Sequence, residues 1–152
     1  MLFSQPARIS ARIRPAKRPV RPRLKNEGRG PRTRVELLFD SFATPVFGAR
    51  STVRAQRNLL YRAEPYQIDL LIEPQPESNR LRITGQLLDT SDPALFGQGV
   101  KVTLWDGLQS FVFLRTSEWG EFLGEIENSG ELIVALKIAA REIVISIQSV
   151  LG

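Results

Sequence analysis

From Tyr66 onward, apolar side chains recur at every second position, and this period constrains the chain more than any other feature. "YQIDLLI" sets Tyr66, Ile68, Leu70 and Ile72 against Gln67 and Asp69. The pattern returns in "RLRITGQLL" (Leu81, Ile83, Gly85, Leu87), "VKVTL" (Val100, Val102, Leu104) and "EFLGEI" (Phe122, Gly124, Ile126). It returns again in "LIVALKI" (Leu132, Val134, Leu136, Ile138) and "IVISI" (Ile143, Ile145, Ile147). Successive side chains of a strand point to opposite faces, so alternation means one dry face and one wet face. "SFVFLR" is apolar almost throughout and reads as a further short strand. "EPQPESN", Asp106-Gly107, "SEWG" and "ENSG" supply the turns between them. Seven strands, each with an apolar face, bury those faces by stacking one sheet on another. The expectation is an all-β two-sheet sandwich over residues 64–150.

The chain ahead of that domain has a different character. Residues 1–34 hold eleven Lys/Arg and one acid, Glu27, whereas residues 35–152 hold ten basic and fifteen acidic side chains. The net charge of +5 is therefore a basic arm on a mildly acidic body. "RIRPAKRPVRPR" repeats proline among like charges, and Ile9, Ile13, Val20 and Leu24 are too sparse to offset ordering entropy. A disordered arm over 1–34 is expected. Its composition is similar to that of an organelle transit peptide, but Pro15, Pro19 and Pro22 break the amphipathic helix such peptides form. A misassigned start is a further reading. Residues 35–63 form a partly ordered lead-in. In it, "VELLFDSF" suits a short strand or an amphipathic turn, and "TVRAQRNLLYRA" suits a short helix or an extended approach to the sheet.

Composition narrows the chemistry. The chain contains no Cys and no His, which removes thiolate chemistry, the commonest general base and the commonest transition-metal ligand. No enzyme activity, cofactor or metal is expected. There is no run of eighteen apolar residues and no apolar stretch of signal-peptide length near the start, so no transmembrane segment and a cytoplasmic location are expected. Glu121, Glu125 and Glu127 fall opposite Phe122, Gly124 and Ile126, hence on the solvent face, where no paired acid and base can form. Asp89 and Asp92 suit Asx turns before Pro93 better than a calcium loop. Lys101 and Lys137 alternate outward and offer no desolvated partner to a serine. Gly97 and Gly99 lack the following helix of a phosphate cradle.

Residues 81–126, "LRITGQLLDTSDPALFGQGVKVTLWDGLQSFVFLRTSEWGEFLGEI", resemble the carboxypeptidase regulatory-like domain, a prealbumin-like (transthyretin-like) family. Gly85, Asp89, Gly99, Val100, Val102, Leu104, Thr116, Gly120 and Phe122 fall on its pattern, and the likeness spans about residues 66–150. Trp119 stands where that family carries a small polar or acidic residue. The stretch from "LLFDSFATPVFGARS" to "ESNR" looks like the lead-in of bacterial proteins that carry the domain. The resemblance implies a seven-stranded Greek-key sandwich and an accessory module without catalytic residues of its own.

Two features remain as interaction candidates. Trp105 and Trp119 lie beside turns, where they either cap the core or anchor a protein partner. In the arm, Arg12, Arg14, Lys17, Arg18, Arg21, Arg23 and Lys25 suit sequence-independent binding of nucleic acid or another anionic surface. With no aromatic after Phe3, the arm itself gives no base stacking. The leading expectation is a non-catalytic protein-binding module, with nucleic-acid association through the arm as the alternative.

Overall fold

The structure, a computed structural model, describes residues 33–43, 56–92, 94 and 97–152. The strands among these residues are β1 (Glu36–Asp40), β2 (Arg57–Ala63), β3 (Tyr66–Pro74), β4 (Arg80–Asp89) and β5 (Lys101–Trp105), then β6 (Phe111–Arg115), β7 (Glu121–Glu127), β8 (Glu131–Ile138) and β9 (Arg141–Gln148). They build a five-stranded sheet in the order β1-β2-β3-β4-β7 and a four-stranded sheet in the order β6-β5-β8-β9. Every pairing is antiparallel. The chain changes sheets after β4, after β6 and after β7.

Among the described residues nine strands thus stand where seven were expected. Strands β3 to β9 coincide with the seven apolar segments. The two additional strands come from residues 35–63, where the sequence left helix and strand open. β2 buries Leu59, Tyr61 and Ala63, yet Leu60 beside Leu59 blurs the alternation that marks it. Desolvation in the core raises the phenol pKa of Tyr61 above its usual value. Among the described residues β1 pairs only with β2; it carries a register shift between Leu37 and Phe39, and Leu37, Leu38 and Phe39 are exposed. A short, bulged edge of this kind resists strand addition by other chains.

Alternation holds where it was read. Ile68, Leu70, Ile72, Leu81, Ile83 and Leu87 of the larger sheet face Leu104, Leu132, Leu136 and Ile143 of the smaller, all fully buried. Packing complementarity shows at two glycines. A β-carbon on Gly85 would fall 2.0 Å from the ring of its cross-strand neighbour Phe122. One on Gly124 would meet Leu114 and Leu104 at 2.7 and 2.9 Å, so β7 approaches the opposite sheet closely. Gly120 has φ 74°, and a side chain there would strike the Leu87 carbonyl oxygen at 2.3 Å. The turn into β7 therefore requires glycine on two counts.

Two arginines tie the sheets together. Arg57 of β2 pairs bidentately with Asp40 (Nε–Oδ1 3.0 Å, Nη2–Oδ2 2.7 Å). It also donates to the carbonyls of Ser149 and Val150 beyond β9, and its guanidinium lies 5.0 Å from the Phe42 ring centroid. Arg141, at the start of β9, donates to the Thr33 hydroxyl and to the Glu64 carbonyl. The chain therefore joins the body from its N-terminal side at the end that carries the β2–β3 and β8–β9 turns.

Candidate functional site

Strand pairing in the four-stranded sheet brings together side chains that are distant in sequence. Val102, Leu104, Val134, Leu136, Ile143 and Ile145 point into the core, so the intervening residues of β5, β8 and β9 face outward. On the edge strand β6, Val112 and Leu114 pack on the core while Phe111, Phe113 and Arg115 face outward. The register then sets three rows across this outer face. The first is Arg115, Lys101, Lys137 and Glu142; the second is Phe113, Thr103, Ala135 and Val144; the third is Phe111, Trp105, Ile133 and Ser146.

The first row places three cations on adjacent strands, where neighbouring β-carbons lie about 5 Å apart. Arg115 donates to the Gly99 carbonyl at 3.2 Å. Among the described residues, none of the three makes an ion pair with a carboxylate. Like charges directly opposite one another cost stability, and Glu142 at the end of the row is the one acid in it. Beside this row stands Phe113, 74% exposed. Lys101, Thr103, Phe113, Arg115, Lys137 and Glu142 line a shallow depression of about 450 Å³.

The third row is aromatic. The rings of Trp105 and Phe111 stack with centroids 5.5 Å apart and planes 7° from parallel. Ile133 is only 8% exposed although it lies on the outer side of the sheet, which shows how much apolar material this face carries. The indole Nε1 of Trp105 is buried and has no hydrogen-bond partner, an arrangement that costs about 1–3 kcal/mol.

Trp105 is thus a half-buried residue of an outer sheet face. Trp119 is 55% exposed in the turn before β7. The two tryptophans sit at opposite ends of the β5–β6 hairpin and form no common patch. The Trp119 turn is held by Ser117, whose hydroxyl accepts from the amides of Trp119 and Glu121. Thr116 is buried. Its hydroxyl accepts from the Val100 amide at 2.8 Å and donates to the Gly97 carbonyl, so it braces the loop ahead of β5 rather than its own turn. The arm residues Arg12, Arg14, Lys17, Arg18, Arg21, Arg23 and Lys25 lie outside the described residues.

The carboxylates have local roles. Glu127 pairs with Arg80 at 2.9 Å and Glu125 with Arg82 at 3.3 Å, on the outer face of the five-stranded sheet. Asp89 accepts from the amide and hydroxyl of Ser91, and the hydroxyl chiefly holds its carboxyl below the usual range. Asp92 accepts from the Ala94 amide. Asp106 is buried, and its Oδ1 takes the amides of Leu108, Gln109 and Ser110 at 2.8–3.0 Å. These are turn-closing bonds of the kind short acidic side chains favour. No group of three or more His, Cys, Asp or Glu side chains converges among the described residues.

No family model, curated protein or solved structure matches the chain. No helix among the described residues is long and apolar enough to cross a membrane.

Alternation turns Lys101 and Lys137 outward but does not place them side by side. Their adjacency depends on β5 pairing with β8, two strands later in the chain. Phe113 escaped because both faces of "SFVFLR" are apolar, so alternation gave no hint which face is dry.

Proposed function

We propose that this chain is a non-catalytic binding module whose working surface is the outer face of the four-stranded sheet. In this reading β3 to β9 form the seven-stranded Greek-key sandwich of a carboxypeptidase regulatory-like domain, and β1 and β2 extend one of its sheets. One observation carries the functional part. Three cations stand abreast with Glu142 as the single acid of their row and, among the described residues, no ion pair to a carboxylate, next to a phenylalanine that is 74% exposed. Folding alone gains nothing from either feature: the cations repel and the ring stays wet. Both become favourable once a partner with negative charge and an apolar or aromatic part covers them. The partner is accordingly polyanionic. The use of the carboxylates in turns and surface pairs supports a binding role over catalysis.

The test is NMR shift mapping on the full chain against heparin, polyglutamate and oligo-dT. Perturbation centred on β5, β6 and β8 with at least one of them is expected. Perturbation confined to residues 1–34, or centred on the five-stranded sheet, overturns the assignment of the working face.

A further inference from the structure

Resting on that working face, we infer that its occupant is single-stranded nucleic acid, with phosphates on the cation row and bases stacked on the aromatic rings. Charge is the first argument. Arg115, Lys101 and Lys137 lie on three adjacent strands and Glu142 closes the row, giving a local excess of two positive charges on one edge of the face. Spacing is the second. Residues two apart along a strand are ~7 Å from each other, so Phe113 stands one such step from the cations and the Trp105–Phe111 pair two steps. A nucleotide spans the same kind of distance between its phosphate and its base. A strand lying across β6, β5 and β8 would therefore meet cations with its backbone while its bases reach the rings.

Ring geometry is the third argument. Phe113 is 74% exposed and presents π-surface to solvent. Trp105 and Phe111 already lie flat on each other, a platform a base can extend. Cations that follow a backbone beside aromatic side chains that take successive bases are the combination that holds single strands without regard to sequence. A duplex keeps its base faces stacked internally and offers these rings nothing. An acidic protein segment would satisfy the cations but leave the rings without stacking partners.

Arg141, which holds Thr33 at 3.0 and 3.2 Å, begins the strand in which Glu142 pairs with Lys137. Thr33, which follows the basic arm in sequence, thus sits at the end of the sandwich where the cation row lies.

Fluorescence anisotropy of labelled oligo-dT with the full chain tests the inference, run over a salt series and beside duplex DNA and labelled polyglutamate. Phe113→Ala is expected to weaken oligo-dT binding roughly tenfold, with an unchanged melting temperature because the side chain is mostly in water. Phe113→Trp should retain binding and Phe113→Leu should not, which separates stacking from greasiness. Lys101→Ala with Lys137→Ala should flatten the slope of log K against log salt by about 1.4. Duplex binding should be weaker and indifferent to Phe113→Ala. If oligo-dT binding ignores all of these changes, the arm alone carries it and the inference fails. If polyglutamate binds with these dependences and oligo-dT does not, the occupant is an acidic protein segment: the inference falls while the working face stands. If no polyanion responds to the variants, both fall.

Discussion

The two outer faces of this sandwich solve their electrostatics in opposite ways. On the five-stranded sheet each named cation has its acid across the ladder: Arg80 with Glu127, Arg82 with Glu125, and Arg62 with Glu36 at 2.7 Å. On the four-stranded sheet the register sets Lys101 opposite both Arg115 and Lys137. The larger sheet exposes Leu123 between two glutamates, whereas the smaller exposes Phe113 beside the cations. A face whose charges are internally paired needs no partner. One whose like charges are aligned is stabilised by whatever brings the opposite charge. The difference lies in composition and register together: the strands of the larger sheet hold four arginines and eight acidic side chains, those of the smaller four cations and two acids, and the register then aligns three of those four cations.

The largest effect is expected at the clamp that joins the two sheets. Arg57 and Asp40 have side chains only 13% and 10% exposed. Arg57→Ala takes the guanidinium from a carboxylate that has little water around it and keeps the Phe42 amide at 2.9 Å, and it frees the Ser149 and Val150 carbonyls. A loss of about 3 kcal/mol is expected, read by denaturant unfolding, with Asp40→Asn used to close a double-mutant cycle. The comparison of faces presumes two sheets held in a fixed relation. A cost well under 1 kcal/mol would show that this clamp does not hold them.

Smaller, but more telling, is a pair of charge reversals with opposite signs. Arg82→Glu sets two carboxylates against each other beside Glu125 and should destabilise by about 0.5–1 kcal/mol. Lys101→Glu turns a row of three cations into an alternating row and should stabilise by a similar amount, while abolishing binding at that face. Salt should shrink both effects, because it screens exposed pairs of either sign. If both reversals destabilise, the cations of the smaller sheet are already balanced by something and the contrast between the faces disappears.

How far this was legible in the sequence follows from the range of the interactions. Period two is local, so the sequence placed Leu81, Ile83 and Leu87 in the core and Glu121 and Glu125 in water without knowledge of any partner strand. Turn chemistry is equally local, which is why Gly120 and Asp106 could be read as turn residues. Two things were not local. β2 blends Leu59, Tyr61 and Ala63 into a background of Leu60 and arginines, and its pairing with β1 and β3 makes it a strand. The cation row arises because β5 lies between β6 and β8, a choice no periodicity records. The two tryptophans drew notice as residue types, yet of the two only Trp105 lies on this face, where Phe111 and Phe113 complete the aromatic part.

The smallest expected effect is a pH dependence that belongs to the five-stranded sheet alone. Glu36 on β1 is held below its usual pKa, first by the hydrogen bond from Arg62 and then by that residue's charge. Asp89, at the end of β4, is held down chiefly by the Ser91 hydroxyl. Both are acids whose folded pKa lies below the unfolded one. Their contribution is therefore present above the unfolded values of ~4 and fades as pH falls through the depressed folded values. Stability should decline on the acid side of that window, with little change between there and neutrality from these two groups. Both carboxyls are well exposed, so the effect is modest, and Glu36→Gln and Asp89→Asn should each make the acid-side decline shallower in urea midpoints measured against pH. Lys101→Ala, on the other face, should leave the shape of that decline unchanged, because its row belongs to the other sheet and touches neither carboxyl. An acid limb that responds to Lys101→Ala and ignores Glu36→Gln would reverse the assignment of paired charge to one sheet and uncompensated charge to the other.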